Sequence, residues 1–349
     1  MSTAAPTPIS PSPPPSPPPS YPAVVPPQSA GQRAIGAASA GLDKLGQGVP
    51  LIVLTLLSWA SIPLFLKFFA RPDPVTKLAL IDGWTANGWR YGISALFWLP
   101  LLAIAYCKGK LPTSIFTAAL VPAAFNLVGQ TAFAWCPYFL EPGFFTFVFR
   151  VQIVFVAIGA WLLFPSERDT LRRPTFWIGL TLVVAGSIGL IALKPAGIGT
   201  SAPWWAIAMA ISSGALFAGY GLAVRRFMQG YPSILAFGVI CQYTALGTVI
   251  LMLTLGRNHG ADVLSFSGFN WFMLVLSAMI GIAISHVMYY AAIQRLGVTV
   301  SMGIVQLQPV ITAAASVLLG WEVLTPAQWA SGMVGVAGAM IMLRPKRKN

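Results

Sequence analysis

The chain has 349 residues, 56% of them apolar and 8% charged, against roughly 45 to 50% apolar and about 25% charged in a soluble domain. So few charges cannot cover a soluble globule of this size, whereas a bilayer solvates apolar side chains and requires only that backbone hydrogen bonds close within helices or barrels. The 21 Lys and Arg against 8 Asp and Glu leave a net +13, but the basic residues stand singly and in pairs between apolar runs. That pattern fits lipid headgroups and orientation signals rather than nucleic acid.

In chain order, residues 1–29 hold 12 of the 29 prolines, and proline removes backbone donors and fixes φ. A polyproline-like cytoplasmic tail over 1–49 is expected, solvated or serving as an SH3-type ligand. No basic start followed by an apolar run marks a signal peptide there. From residue 50 onward, apolar runs of about 20 residues recur, the length a helix needs to cross a hydrocarbon core about 30 Å thick. The expected spans are 50–70, 87–107, 113–136, 143–164, 174–193, 204–224, 233–255, 269–292, 298–320 and 326–343, followed by a basic tail over 344–349. The short alternating segments of a β-barrel are missing. The fold class expected is therefore an all-α integral membrane protein with ten transmembrane helices.

Basic residues near span ends stay in the cytoplasm. With the N-terminus inside, Arg33, Lys44, Lys108, Lys110, Arg168, Arg172, Arg173, Arg225, Arg226, Arg295, Arg344, Lys346, Arg347 and Lys348 fall inside. Lys67, Arg71, Lys77, Lys194 and Arg257 fall outside, while Arg90 and Arg150 lie within spans. The imbalance places both termini in the cytoplasm of a cell (inner) membrane. Cys107, Cys136 and Cys241 lie far apart without metal-type spacing and are expected to be small buried hydrophobes. No metal and no cofactor is expected.

Sliding the chain against itself exposes a repeat. At an offset of 156, Gln130 meets His286, Arg150 meets Gln306, Gln152 meets Gln308 and Leu162-Leu163 meets Leu318-Leu319. At 152, Trp177 meets Trp329, Val184-Ala185-Gly186 meets Val336-Ala337-Gly338, and Arg90-Tyr91 meets Gln242-Tyr243. Five spans per half is an odd number, so the halves 50–193 and 194–343 must be inverted relative to each other, the layout of secondary transporters with a site near the midplane.

These residues resemble the EamA-type members of the drug/metabolite transporter superfamily. The first span reads WASIPLFLK, the second begins with WRY, and the late stretch YYAAIQRLGVTVSMGIVQLQPVITAAASVLLGWEVLTPAQWASGMVGVAGAMIML is similar to the family's Tyr-Ala-Ile exit, its Pro-Val in the ninth helix, its Gly-x-Glu turn at Glu322 and its glycine-rich tenth helix. The first half carries a corresponding turn at Glu167, four residues longer, and Ile153 stands where the repeat has Pro309. The resemblance implies ten helices, five plus five inverted, and transport by alternating access.

An ionisable residue at the bilayer centre costs about 2.5 to 3.5 kcal/mol on insertion scales and is a functional candidate for that reason. Arg150 lies seven residues into the fourth expected span, roughly 10 Å below the outer interface, where a guanidinium can pair with a carboxylate or phosphate. Arg90 is about three residues from an expected outer end, where snorkelling competes with a binding role. Asn126 and Gln130 share one helical face, as do His286 and Tyr290. Gln152 and Gln308, Arg90 and Gln242, and Arg150 and Gln306 are repeat mates, and Trp59 and Tyr243 are candidate aromatic walls. Helix-to-helix hydrogen bonding is the competing role for each polar residue. His286 either titrates near neutral pH or is hydrogen-bonded as a structural residue.

Glu141, Glu167 and Glu322 all map to turns, which argues against a cation exporter built on a membrane carboxylate. The expected function is a secondary transporter, an exporter of a small polar metabolite such as an amino acid. An organic-anion or sugar-phosphate exchanger is the alternative, and a membrane-embedded transferase a remote one. A small-molecule substrate and the lipid bilayer are the expected partners; a complete five-plus-five repeat suits a monomer, with a dimer left open.

Overall fold

The computed structural model describes residues 48–73, 76–165, 172–193, 202–296, 301 and 304–342. The expected proline-rich tail, the Glu167 turn, the junction between the halves and the basic C-terminal tail lie outside these residues. In chain order the helices are α1 (Gly48–Ala70), α2 (Gly83–Cys107), α3 (Ser114–Phe139), α4 (Pro142–Phe149), α5 (Gln152–Leu163), α6 (Pro174–Ala192), α7 (Trp204–Phe227), α8 (Ser233–Leu255), α9 (Gly268–Ala278), α10 (Ser285–Leu296), α11 (Gln308–Leu318) and α12 (Pro326–Met342). A 3₁₀ segment (Arg257–Ser265) precedes α9, and a π-helical segment (Met279–Ile284) joins α9 to α10.

The polarity of this bundle is the reverse of a soluble protein's. Leu96 and Leu99 on α2, Trp161 and Leu162 on α5, Trp204 on α7 and Leu318 on α11 face outward, while Thr55, Arg90, Asn126, Thr244 and His286 are buried. Only lipid solvates such an exterior. Among the described residues eight helical stretches are long and apolar enough to cross a membrane: α1, α2, α3, α4 with α5, α6, α7, α8, and α9 through α10 up to Ala292.

The expected ninth span is interrupted, and the expected tenth is helical over its described residues. α11 has 11 residues, because a turn at Gln306–Leu307 precedes it and Pro309, lacking an N–H, sits in its first turn, where a missing donor is tolerated. α12 has 17 residues, about 26 Å at the helical rise. The described structure thus carries eight full-length candidates rather than ten.

Other boundaries also moved. α2 starts at Gly83 instead of 87, because Asp82 caps it by accepting from the N–H groups of Trp84 and Thr85 at 2.9 and 3.0 Å. The fourth span is not one helix: at Arg150 the bonds tighten to an i→i−3 pattern, from Arg150 N–H to Phe147 O, Val151 to Val148, Ile153 to Arg150 and Val154 to Val151. Cys136 and Cys241 are buried as expected, but Cys107, at the end of α2, is exposed.

Packing brings remote segments together. α2 lies on α8, α6 on α12, α3 on α7, and α1 on α10 and α11, while α5 packs on α7 and α4 on α11. The α6–α12 seam is made of glycine: a Cβ at Gly186 would stand 2.5 Å from Gly335 N and 2.6 Å from Ser331 O, and one at Gly338 would stand 2.6 Å from Gly179 O. Small residues let membrane helices approach backbone to backbone, where van der Waals contact replaces the missing hydrophobic drive.

Two clamps hold the loop ends. Arg257, carried by a turn with Asn258, His259 and Gly260 at positive φ, pairs with Asp262. Its guanidinium also donates to Ala79 O and Leu80 O at 3.0 and 2.9 Å, and its N–H donates to Asp82. Burial raises the Asp262 carboxyl, but bonds from Asn258 and Arg257 outweigh it and leave the group below its ordinary value. At the other clamp, Glu322 in the α11–α12 turn accepts the N–H groups of Gly143 and Phe144, both at 2.7 Å, and so caps α4. A Cβ at Gly143 would lie 2.5 Å from that carboxylate and 2.6 Å from Ala313 Cβ, so only glycine fits beneath it.

Candidate functional site

The tightened turn between α4 and α5 projects Arg150 into the protein, where it is buried. Its Nη2 donates to Gln308 Oε1 at the start of α11, and Gln308 Nε2 donates to Trp59 O on α1 at 2.9 Å. One turn on, Thr312 Oγ1 donates to Ala60 O at 2.9 Å. Three helix segments therefore meet at one guanidinium. Among the described residues its side-chain hydrogen-bond partner is the neutral Gln308, and its Nε has no acceptor.

Aromatic rings line the adjoining space. The Trp59 ring lies 5.5 Å from that of His286 in an edge-on arrangement and 4.7 Å from that of Tyr289. His286 stacks on Phe237 at 4.7 Å with an interplanar angle of 10°. The Tyr220 and Tyr290 hydroxyls share a hydrogen bond of 2.6 Å, and the Tyr220 ring meets His286 edge-on at 6.4 Å. The indole Nε1 of Trp59 is buried without an acceptor among the described residues. His286 Nδ1 lies 3.1 Å from Ile282 O, one turn back, which is the local bond of a structural histidine.

Behind Arg150 is a narrow cavity of about 10 Å³, the room of roughly one water. Gln306, Ser187, Gly186, Gly332 and Gly335 border it with Arg150. The glycine seam of α6 and α12 thus reaches the same guanidinium as the Trp59 cluster.

The sequence candidates divide accordingly. Arg150, Gln306, Gln308, Trp59, His286 and Tyr290 come together. Asn126 belongs to a neighbouring polar group, its Nδ2 donating to Tyr91 Oη at 3.1 Å and to Thr244 Oγ1 at 3.0 Å. Gln130 is buried one turn further along α3. Gln152 turns toward α7, its Cβ lying 3.4 Å from where a Cβ on Gly214 would stand. Gln242 ties α8 to α2 by donating to Ala95 O at 2.9 Å, the helix-bonding role weighed against binding. Tyr243 packs with the Leu102 and Val239 cluster, away from Arg150. Arg90 does not snorkel: with α2 starting at Gly83 it lies a further turn inside, and its exposure is 0%.

Tyr289, Tyr220, Tyr91 and Thr244 were missed by sequence reasoning. Tyr289 was within reach, as the first Tyr of the YYAAI stretch beside Tyr290. Tyr220 and Thr244 stand in apolar runs with nothing local to separate a site residue from a packed one.

The EamA-like transporter family matches residues 204–344. Residues 204–344 belong to that family. The match spans α7 through α12, including Gln306, Gln308, His286 and Tyr290 of the cluster, and together with the eight apolar helical stretches it supports a multi-pass membrane protein. No curated protein matches it. Fourteen chains of solved structures do, and one crystal structure aligns over 84% of this chain and 96% of its own, with TM-score 0.57 and 16% identity. At that identity the likeness concerns the fold alone.

Proposed function

We propose that this EamA-type protein is a secondary transporter that exports a small polar metabolite bearing a carboxylate, such as an amino acid, across the cell (inner) membrane. The observation that carries this reading is the pair of buried donors, Arg150 Nε and Trp59 Nε1, that find no acceptor in a cluster otherwise closed by Gln308. Unpaired buried donors are costly, and a carboxylate offers several acceptor sites with the charge a guanidinium favours. Trp59, Tyr289 and His286 form the apolar wall for the rest of the solute.

The mechanism is alternating access between two inverted five-helix halves, ten crossings in all, with both termini in the cytoplasm. Supporting it, the packings occur in exchanged pairs: α1 with α10 and α3 with α7, α1 with α11 and α7 with α5. The turn at Arg150–Val151 recurs at its repeat mates Gln306–Leu307. Discontinuous helices at such positions are where transporters place substrate. Because Arg150 and Gln306 sit on these turns and Gln308 opens α11 directly after one, rocking of the halves would make and break the Arg150–Gln308 bond.

The test is counterflow in liposomes loaded with labelled amino acids, organic acids or sugar phosphates, with and without a proton gradient. Saturable counterflow of an amino acid is expected. Counterflow confined to organic acids or sugar phosphates would assign the exchanger reading instead, and linear uptake of every solute would remove alternating access.

A further inference from the structure

A second guanidinium stands apart from this cluster. Arg90 on α2 is fully buried, and none of Nε, Nη1 and Nη2 has a hydrogen-bond partner among the described residues. Asn87, one turn earlier on α2 and also buried, has neither Nδ2 nor Oδ1 bonded. The face that carries them continues as Ser94 and Trp98 at intervals of four, which places them in line on one helical stripe.

That stripe meets the π-helical segment Met279–Ile284. Ser94 Oγ reaches Ala278 O at 3.1 Å while also bonding Arg90 O, and Trp98 Nε1 donates to Ala283 O at 3.2 Å. The Ala278 and Ala283 carbonyls are therefore occupied by Ser94 and Trp98, and the Arg90 guanidinium beside Gly281 is left without an acceptor among the described residues. Gly281 permits the approach, since a Cβ there would lie 3.2 Å from Arg90 Nη2 and 3.0 Å from Ile62 Cγ1. π-Helical turns recur at functional sites.

Arginine stays protonated in proteins, and a buried charge without a counter-charge is strongly destabilising. Four of the described carboxylates are bonded elsewhere: Asp82 on the α2 cap and Arg257, Asp262 on Arg257 and Asn258, Glu322 on α4, and Asp73 on Thr76 N; Glu141, at the start of α4, is not a hydrogen-bond partner of Arg90 either. We propose that Asn87 and Arg90 form a second anion-binding subsite, between α2 and the π-helical segment, independent of Arg150. Its ligand is a single anionic group, the guanidinium supplying charge and Asn87 Nδ2 a further donor. The group comes either from a solute carboxylate or from a free small anion.

The test follows thermal unfolding of the full-length protein in detergent while chloride, acetate or succinate replaces bulky MOPS at constant ionic strength. It is run in an Arg150→Gln background so that anions at Arg150 do not contribute, which also separates this subsite from the transport reading. A ligand that binds only the folded state raises the midpoint with its concentration. A saturable rise is expected, kept by Arg90→Lys, moved to several-fold higher anion by Asn87→Ala and abolished by Arg90→Gln. The Arg90→Gln protein should also start from a higher midpoint than its parent when no small anion is present. A rise with chloride as well as carboxylates identifies a free anion, and one with acetate and succinate alone identifies a solute carboxylate. No rise in the parent, or the same rise after Arg90→Gln, overturns the proposal; should Arg90→Gln fail to fold, an unchanged half-effect concentration in Asn87→Ala overturns it equally.

Discussion

Replacing Glu322 with alanine tests how the α11–α12 turn holds the N-terminal end of α4. Gly143 N–H and Phe144 N–H, each 2.7 Å from a carboxylate oxygen, belong to the unpaired first turn of α4. Leaving them without acceptors costs about 1 to 3 kcal/mol for each group. Against that loss, removal of the carboxylate recovers its desolvation: burial raises the Glu322 carboxyl above its ordinary value, with the bonds from Phe144 and Gly143 offsetting part of the rise. The balance is a loss of about 2 kcal/mol at neutral pH, from two orphaned groups at the low end of that range. The sign of the pH dependence follows from the raised carboxyl. The folded state holds this proton more tightly than the unfolded chain, so the group's contribution is complete below its unfolded value of 4.5 and falls as the pH rises through the folded value. Unfolding in mixed micelles of rising SDS fraction, measured from pH 4 to 8, should show Glu322→Ala less stable throughout, with a gap that narrows as pH rises. An unchanged midpoint in Glu322→Ala, or a gap that widens with pH, would refute the reasoning.

Gly186→Ala drives a methyl into Gly335 N and Ser331 O, backbone atoms that cannot turn aside, and should cost about 1 to 3 kcal/mol; Gly221→Ala on α7, with nothing within 4 Å of the new Cβ, should instead stabilise by up to about 1 kcal/mol, both read by the same unfolding assay. Asp262→Asn removes a carboxyl held below its ordinary value by Asn258 and Arg257. Its contribution is present above the unfolded carboxylate range and lost as pH falls through the lowered folded value, so the difference between wild type and Asp262→Asn should shrink below about pH 4, as unfolding titrations across pH 2 to 6 can establish.

How far the sequence reveals this molecule depends on whether a feature is local. Eight of the expected spans recur within a few residues, because a run of about 20 apolar residues is a local property with one solution in a bilayer. The start of α2 moved because a single Asp82 cap outweighs the hydropathy of the next turn. The turn at Arg150 escaped notice since nothing in Phe149-Arg150-Val151-Gln152 breaks a helix, and only its mate carries a proline, Pro309. The π-helical segment has no marker beyond Gly281. Arg150 itself was legible as a lone guanidinium in an apolar run, and its bond to Gln308 gave substance to a residue that the repeat had paired with Gln152. Glu322 was read as a turn residue, and its role as the cap of α4 exists only after segments 178 residues apart meet. Asn87, Tyr220 and Tyr289 acquire meaning from their neighbours, which periodicity does not provide.

The central claim is that Arg150 receives the anionic group of the transported solute. Counterflow of the solute that wild-type liposomes carry, repeated with Arg150→Gln at matched protein incorporation, tests it most directly. Loss of one charge-assisted bond, about 1.5 to 3 kcal/mol, predicts a fall of about 10- to 100-fold in apparent affinity or flux, with partial recovery in Arg150→Lys. Counterflow by Arg150→Gln at the wild-type rate and half-saturation would contradict the claim.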